Sequence, residues 1–304
     1  MVIPCYSQSE LNITVETNRT TYYVGETAII YGNLTLYDQP ITDALVAVQI
    51  SDARGTPIVI RTVNTGTTPS NSFYVFIASI FASDAYGNPK NTFSPGELAY
   101  FNITVLNVDI EPRLTLITVN AYDQNNMSLA SGSIKTLLPE STFTILIISV
   151  PISAEAANGT AIAYANAYTD WPMLGGVPYC PERKATFTIN STNPTSPTTI
   201  ETVNANYNVI FKIPTQVAVG NFTAHVTSTY QGFTTYNSTI FRVKILGDIN
   251  GDDTCNYKDL WLLLYSYGSK EGDPKYNPEA DFNRDSWVNY RDLWILLKNY
   301  GKKA

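Results

Sequence analysis

Two segments of this chain repeat at an offset of 33 residues: DINGDDTCNYKDLWLLLYSYG, from Asp248 to Gly268, and DFNRDSWVNYRDLWILLKNYG, from Asp281 to Gly301. Twelve of the twenty-one aligned positions are identical, and a repeat this short and this close is one structural unit used twice. The spacing of its oxygen-bearing side chains suggests a purpose. A hard cation such as Ca2+ takes about six to eight oxygens, and a loop of roughly twelve residues supplies them from side chains at positions 1, 3 and 5, the carbonyl of position 7, position 9 and position 12. The first copy offers Asp248, Asn250, Asp252, the Thr254 carbonyl, Asn256 and Asp259. The second offers Asp281, Asn283, Asp285, the Trp287 carbonyl, Asn289 and Asp292. Each set holds three carboxylates that repel one another unless a cation lies between them, so the expectation is two Ca2+ ions.

Each loop feeds a helix, DLWLLLYSYG or DLWILLKNYG, with Asp259 or Asp292 near the exposed N–H groups of its start and Gly268 or Gly301 as its C-terminal cap. Cys255 and Val288, both at position 8, are expected to pack the loops back to back. Leu260, Leu263, Leu264, Leu293, Leu296, Leu297, Trp261 and Trp294 are expected to form the small core.

The pattern departs from a paired EF-hand, because position 12 is Asp and no helix precedes either loop. It resembles the dockerin family, in which two loop–helix units joined by a linker bind Ca2+ and dock onto cohesin modules. The intervening EGDPKYNPEAD, from Glu271 to Asp281, is similar to the linker of that family, and the resemblance covers about residues 246–302. It implies a cohesin-like partner, contacted by positions 10 and 11: Tyr257 and Lys258 in one copy, Tyr290 and Arg291 in the other. Position 6, where the turn favours Gly, is Asp253 and Ser286 here. Asp tolerates a positive φ better than Ser does, so the second loop is expected to be the weaker.

The first 245 residues read as short strands separated by turn signals such as YVGE, YDQP and DARG. Four candidate strands end near Asn64 and three more run from Tyr207 to Ile245. Neither group alone can cover an apolar face, while together they make about seven strands, the size of an immunoglobulin-like sandwich. Seven further strands between them suffice for a second sandwich, flanked by the linker-like NTGTTPSN and STNPTSPTT. The expected fold class is mainly β: two Ig-like β-sandwiches and a small α-helical dockerin-like module. The expected domains are a tail at 1–9, a discontinuous sandwich from 10–68 plus 198–245, an inserted one at 72–192, and the calcium module at 246–304. A tandem arrangement with a half-domain is the alternative. The outer pieces loosely resemble prokaryotic extracellular macroglobulin-like Ig repeats, which implies spacing and adhesion roles.

Composition narrows the function. The net charge is −7 with no basic cluster, which argues against nucleic acid and anionic membranes. No apolar run approaches a membrane span; the longest, Phe143 to Val150, suits a buried strand. The lone histidine, His225, sits in the alternating NFTAHVTSTY and removes most Ser-His-Asp and Cys-His schemes. Enzymatic chemistry would need paired carboxylates, but Glu97, Glu111, Glu140, Asp170 and Glu182 are scattered. Cys5, Cys180 and Cys255 give no disulfide framework, though Cys5 with Cys180 is one pairing to consider.

Nine Asn-X-Ser/Thr sequons, all before residue 246, speak for export to the extracellular space or cell surface. One loop, YTDWPMLGGVPYCPER, stands out. Tyr168, Trp171 and Tyr179 could stack on sugar rings while Asp170 and Glu182 accept from hydroxyls; alternatively Trp171 caps the sandwich. The leading expectation is a noncatalytic surface scaffold or adhesion protein assembled through its Ca2+-dependent module. The alternative is a carbohydrate-binding accessory of a polysaccharide-degrading complex, with cell-surface polysaccharide as its ligand.

Overall fold

The computed structural model describes residues 11–67, 69, 73–190 and 205–303; the expected tail, with Cys5, and the Thr/Ser/Pro-rich stretch after Asn190 lie outside the described residues. The chain is mainly β. Its first strands are β1 (Leu11–Ile13), β2 (Glu16–Thr17), β3 (Thr21–Tyr23), β4 (Thr27–Gly32), β5 (Leu34–Leu36), β6 (Gln39–Pro40), β7 (Leu45–Ser51) and β8 (Pro57–Asn64). A middle set follows: β9 (Val75–Ser83), β10 (Thr92–Phe93), β11 (Leu98–Asn107), β12 (Arg113–Tyr122), β13 (Ser128–Leu138), β14 (Thr142–Pro151), β15 (Gly159–Tyr168) and β16 (Arg183–Ile189). Then come β17 (Tyr207–Lys212), β18 (Gly220–Tyr230) and β19 (Phe233–Lys244), and the helices α1 (Tyr257–Ser266) and α2 (Tyr290–Asn299).

The last three strands pair with the first group. β17 runs antiparallel to β4, from Tyr207 opposite Gly32 to Lys212 opposite Thr27. β18 runs antiparallel to β7, and β19 lies parallel to β3. Their sheets, β17-β4-β2 and β3-β19-β18-β7-β8, enclose one core, with Ile30, Val48, Phe211, Phe222 and Phe241 at its centre. The middle strands form the sheets β10-β16-β15-β12-β13 and β14-β11-β9 around a second core containing Phe101, Ile103, Val119, Ala163 and Phe187. Alternation drives this layering. In β11, Ala99, Phe101, Ile103 and Val105 are buried, and the residues between them are only partly covered.

Strand β7 is buried at every position. One face supplies Val46, Val48 and Ile50 to the outer core, while Ala47 packs with Ile60, Leu116 and Tyr168 at the seam between the sandwiches. At that seam, side chains of the middle strands cap the free edge of β8. Asn120 accepts from Ile60 N (3.3 Å) and donates to the Ile58 carbonyl (3.2 Å). Asn166 donates to the Ile60 carbonyl, Ser131 to that of Pro57 and Ser128 to that of Ile58. Glu182 accepts from Thr62 N (3.1 Å) and from both Arg61 Nε (2.8 Å) and Nη2 (2.6 Å). The Arg61 guanidinium also lies 3.4 Å from the Tyr164 ring centroid.

One expectation is corrected. Phe143–Val150 is not a buried strand but lies within β14, the edge of its sheet, hydrogen-bonded on one side to β11. Phe143 and Ile145 are 62% and 66% exposed. The run is apolar at both parities, but only one parity can face a core at an edge; Ile148 and Val150 take that side.

The Arg61–Glu182 pair has little solvent access, so removing one partner strands a charge. Arg61→Met is expected to cost about 3–5 kcal/mol, while Arg61→Met with Glu182→Leu recovers most of that loss. Chemical denaturation of wild type, both single variants and the double variant measures this.

Candidate metal centre

Helix α1 begins at an Asn256 cap whose Oδ1 accepts from Lys258 N (2.8 Å), while Asp259 Oδ2 accepts from Asn256 N (2.8 Å). This reciprocal capping carries Asp259 back over the loop, where its Oδ1 takes Ile249 N (2.8 Å) and Asn250 N (3.1 Å). Asp248 gathers the other side. Its Oδ1 accepts from Gly251 N (2.7 Å) and Asp252 N (3.1 Å), and its Oδ2 from Asp253 N (3.0 Å). Carboxylate oxygens of Asp248, Asp252 and Asp259 consequently lie within 4.8 Å of one another, and they form the one such acidic trio among the described residues. Asp248 and Asp259 are buried.

The second loop repeats the frame. Asp292 caps Asn289 N (2.9 Å) and accepts from Phe282 N (2.8 Å); Asp281 accepts from Asp285 N (3.2 Å) and Ser286 N (2.8 Å). Asn283 Oδ1 accepts from Asp285 N as Asn250 Oδ1 does from Asp252 N, both at 3.0 Å. Asp281 differs from Asp248 in also accepting from the Tyr276 hydroxyl (2.8 Å), and its trio does not converge as the first does. The position-7 residues, Thr254 and Trp287, lie where each loop meets another segment, and the Trp287 carbonyl accepts from Asn289 Nδ2 (2.9 Å).

Backbone conformation bears on the weaker-loop expectation. Asp253 and Ser286 adopt φ of 60° and 63°, and position 4 is also left-handed, with Gly251 at 73° and Arg284 at 57°. Position 4 escaped the sequence reading, although the glycine of the first copy is its signal.

The loops do not pair with each other. Cys255 N donates to the Lys302 carbonyl (3.0 Å) and Gly301 N to the Cys255 carbonyl (2.8 Å). Val288 N donates to the Ser269 carbonyl (3.0 Å) and Gly268 N to the Val288 carbonyl (2.8 Å). Each loop is thus clasped by the segment that follows the other unit's helix. Cys255 and Val288 still share one core with Ile249, Leu263, Phe282, Leu296 and Tyr23, the last contributed by β3.

That core is smaller than expected. Leu263 and Leu296 are buried, but Trp261 and Trp294 are 68% and 69% exposed, and Leu264 and Leu297 about half exposed. The helical period explains this: the buried stripe of α1 is Asp259, Leu263 and Ser266, and Trp261 lies two residues, about 200°, from Asp259. Each tryptophan therefore joins the exposed Tyr257 or Tyr290 on the outer face. Lys258 and Arg291 remain largely exposed and pair with the position-5 carboxylates Asp252 (3.0 Å) and Asp285 (3.3 Å).

The aromatic loop is engaged elsewhere. Tyr168 is buried and accepts from the Thr62 hydroxyl (3.1 Å), and Trp171 packs on the seam cluster. Asp170 pairs with Lys135 (2.7 Å), Tyr179 packs against the middle core, and both oxygens of Glu182 face Arg61. His225 lies on β18 with Nδ1 2.7 Å from the Tyr236 hydroxyl. Cys180 and Cys255 are free and buried, and burial pushes each thiol up to about 11.

No family model matches the chain and no curated protein matches it. Among solved structures, it resembles the C-terminal domain of Wzt at 8% identity and a TM-score of 0.34, over 40% of this chain and 77% of that one. A CARDB domain from Pyrococcus furiosus, in complex with di-metal ions, aligns at 14% identity and 0.24, over 39% and 97%. A Bacteroides uniformis β-glucuronidase aligns at 11% and 0.29, over 55% and 26%. Likenesses this weak carry no functional argument.

Two outcomes are expected. Ser286→Gly should relieve the left-handed strain and stabilise the full chain by about 1 kcal/mol, with Asp253→Gly giving less; thermal melts compare them. The second outcome concerns pH. Burial raises the carboxyls of Asp248 and Asp292 above their ordinary value of 3.8. A raised carboxyl holds its proton better in the folded state, so its stability contribution is present below the unfolded pKa and lost as pH rises through the folded one. Asp252, exposed and held down by Lys258, acts oppositely but is screened by solvent. With no cation added, the helical melting midpoint should fall as pH rises above the ordinary carboxylate value.

Proposed function

We propose that this chain is a noncatalytic extracellular or cell-surface scaffold that assembles through a Ca2+-dependent, dockerin-like module onto a cohesin-type partner. The observation that carries the reading is the first loop, where three carboxylates face one another within 4.8 Å in a backbone frame that the second copy repeats. Hard oxygen donors in a flexible loop suit Ca2+ better than Mg2+, which demands octahedral geometry. The two outer helix faces support docking. Large exposed aromatics on a small module are costly unless a partner covers them, and Trp261 and Trp294 occupy equivalent positions beside Tyr257 and Tyr290. Either face offers an aromatic anchor flanked by a cation.

The two Ig-like sandwiches then act as a spacer. Glu97, Asp170 and Glu182, candidates for acid–base chemistry, each sit in an ion pair with Lys90, Lys135 or Arg61. The carbohydrate-binding alternative loses support because its five candidate residues are spent on packing and ion pairs. Export rests on the sequons, which the structure divides. The amides of Asn102, Asn126 and Asn237 donate to the carbonyls of Gly87, Ile210 and Ile13, whereas Asn12, Asn33, Asn190 and Asn221 are exposed.

Calorimetry of the chelator-stripped full chain tests the reading. Two Ca2+ sites are expected, with Asp259→Ala and Asp292→Ala each abolishing or weakening one and Mg2+ substituting poorly. Capture by an immobilised cohesin module should require Ca2+. Trp261→Ala with Trp294→Ala should reduce capture at least tenfold with little change in melting midpoint. Absence of any Ca2+ binding to the wild type would remove the assembly role.

A further inference from the structure

The module is not merely tethered to the outer sandwich. β19 ends at Lys244, four residues before Asp248, and the second loop, far along the chain, returns to the same end of the sandwich. Its approach is a 3-10 turn, Pro278–Ala280, that delivers Asp281. The Tyr23 hydroxyl donates to the Glu279 carbonyl (3.0 Å) in the middle of that turn, and the Tyr23 ring meets Phe282 edge-on at 5.6 Å. Lys244, nearly buried, donates to Glu279 Oε2 (2.6 Å). On the far side of Asp281, Arg284 Nη2 reaches Glu26 Oε2 (2.9 Å). The sandwich thus grips both flanks of the first ligand position, and the flank it holds through Glu26 contains a left-handed arginine.

We propose that the outer sandwich is a working part of the second cation loop, with Tyr23, Lys244 and Glu26 as positioning residues that hold Glu279, Phe282 and Arg284 and so fix the backbone on either side of Asp281 from which the loop closes on an ion. This rests on the Ca2+ reading of the loops. The sandwich also touches the first loop, where Arg242 donates to the Gly251 carbonyl (2.9 Å), but the second loop needs support more, because neither of its left-handed positions is glycine. Outer groups that orient ligands commonly contribute about 10–100-fold in affinity. Linkage makes the effect reciprocal: whatever docking adds to ion affinity, the ion adds to docking. Ca2+ in the second loop therefore stiffens the joint between sandwich and module.

The test is two-site Ca2+ calorimetry on the full chain, with Asp292→Ala marking which isotherm belongs to the second loop. Lys244→Met keeps the buried stem and deletes the charge; it should weaken the second site about tenfold and the first much less, since Lys244 ion-pairs with Glu279 and only neighbours Asp248 and Gly251, and Lys244→Arg should restore it. Glu26→Gln removes the charge opposite Arg284 while leaving an amide oxygen able to accept from Tyr23 N; it should weaken the same site severalfold and guards against a folding defect in Lys244→Met. Limited proteolysis at residues 245–247 should be slowed by Ca2+ in wild type and much less in Lys244→Met. Two wild-type sites left unchanged by both Lys244→Met and Glu26→Gln would overturn the proposal while the Ca2+ reading stood. Equal weakening of both sites would also overturn it. A wild type that binds no Ca2+ would overturn both.

Discussion

The side-chain cap on β8 holds the architecture together. A chain that leaves one sandwich, builds another and returns must leave an edge where it departs, and an open edge carries unmet N–H and C=O groups. β8 is that edge, and its outward groups are met by Asn120, Asn166, Ser128, Ser131 and Glu182 from the neighbouring body. Short polar side chains replace a missing strand. The buried Arg61–Glu182 pair sits in the same row, where Tyr164 shields the guanidinium. The two bodies therefore meet through specific polar contacts around a small apolar cluster of Ala47, Ile60, Leu116 and Tyr168, and the loop from Tyr168 to Glu182 is part of that joint.

This explains what was legible in the sequence and what was not. Alternation in β11 or β18 is a local property, and it reads directly as strand. Counting strands before Asn64 and after Tyr207 shows that neither group can close a core alone, and the ladders join them. The role of an apolar run is not local. Residues 45–50 and 143–150 look alike on paper, yet one is central and covered on both faces while the other is an exposed edge. Aromatic loops suffer the same ambiguity, because a tryptophan between prolines suits a sugar platform and a domain seam equally well.

The module repeats the lesson on a smaller scale. Ligand spacing and capping are short-range, and the capping of Asn256 by Asp259 appears where the motif puts it. The tryptophans are apolar but out of phase with the buried stripe of each helix, and that phase is contained in the sequence. Tyr23 in the module core could not have been found: 256 residues separate it from Glu279, and nothing in TYYVGE marks it as anything but a strand end.

The crossed clasp has one more consequence. Each loop is completed by residues beyond the helix of the other copy, Gly301 and Lys302 for the first and Gly268 and Ser269 for the second. One copy alone would leave its position-8 amide and carbonyl without partners and half of a shared core facing water. The two units therefore form one packing unit, to which Tyr23 of β3 adds its ring. Duplication here is first a condition of structure, because each unit covers the face that the other would leave to water.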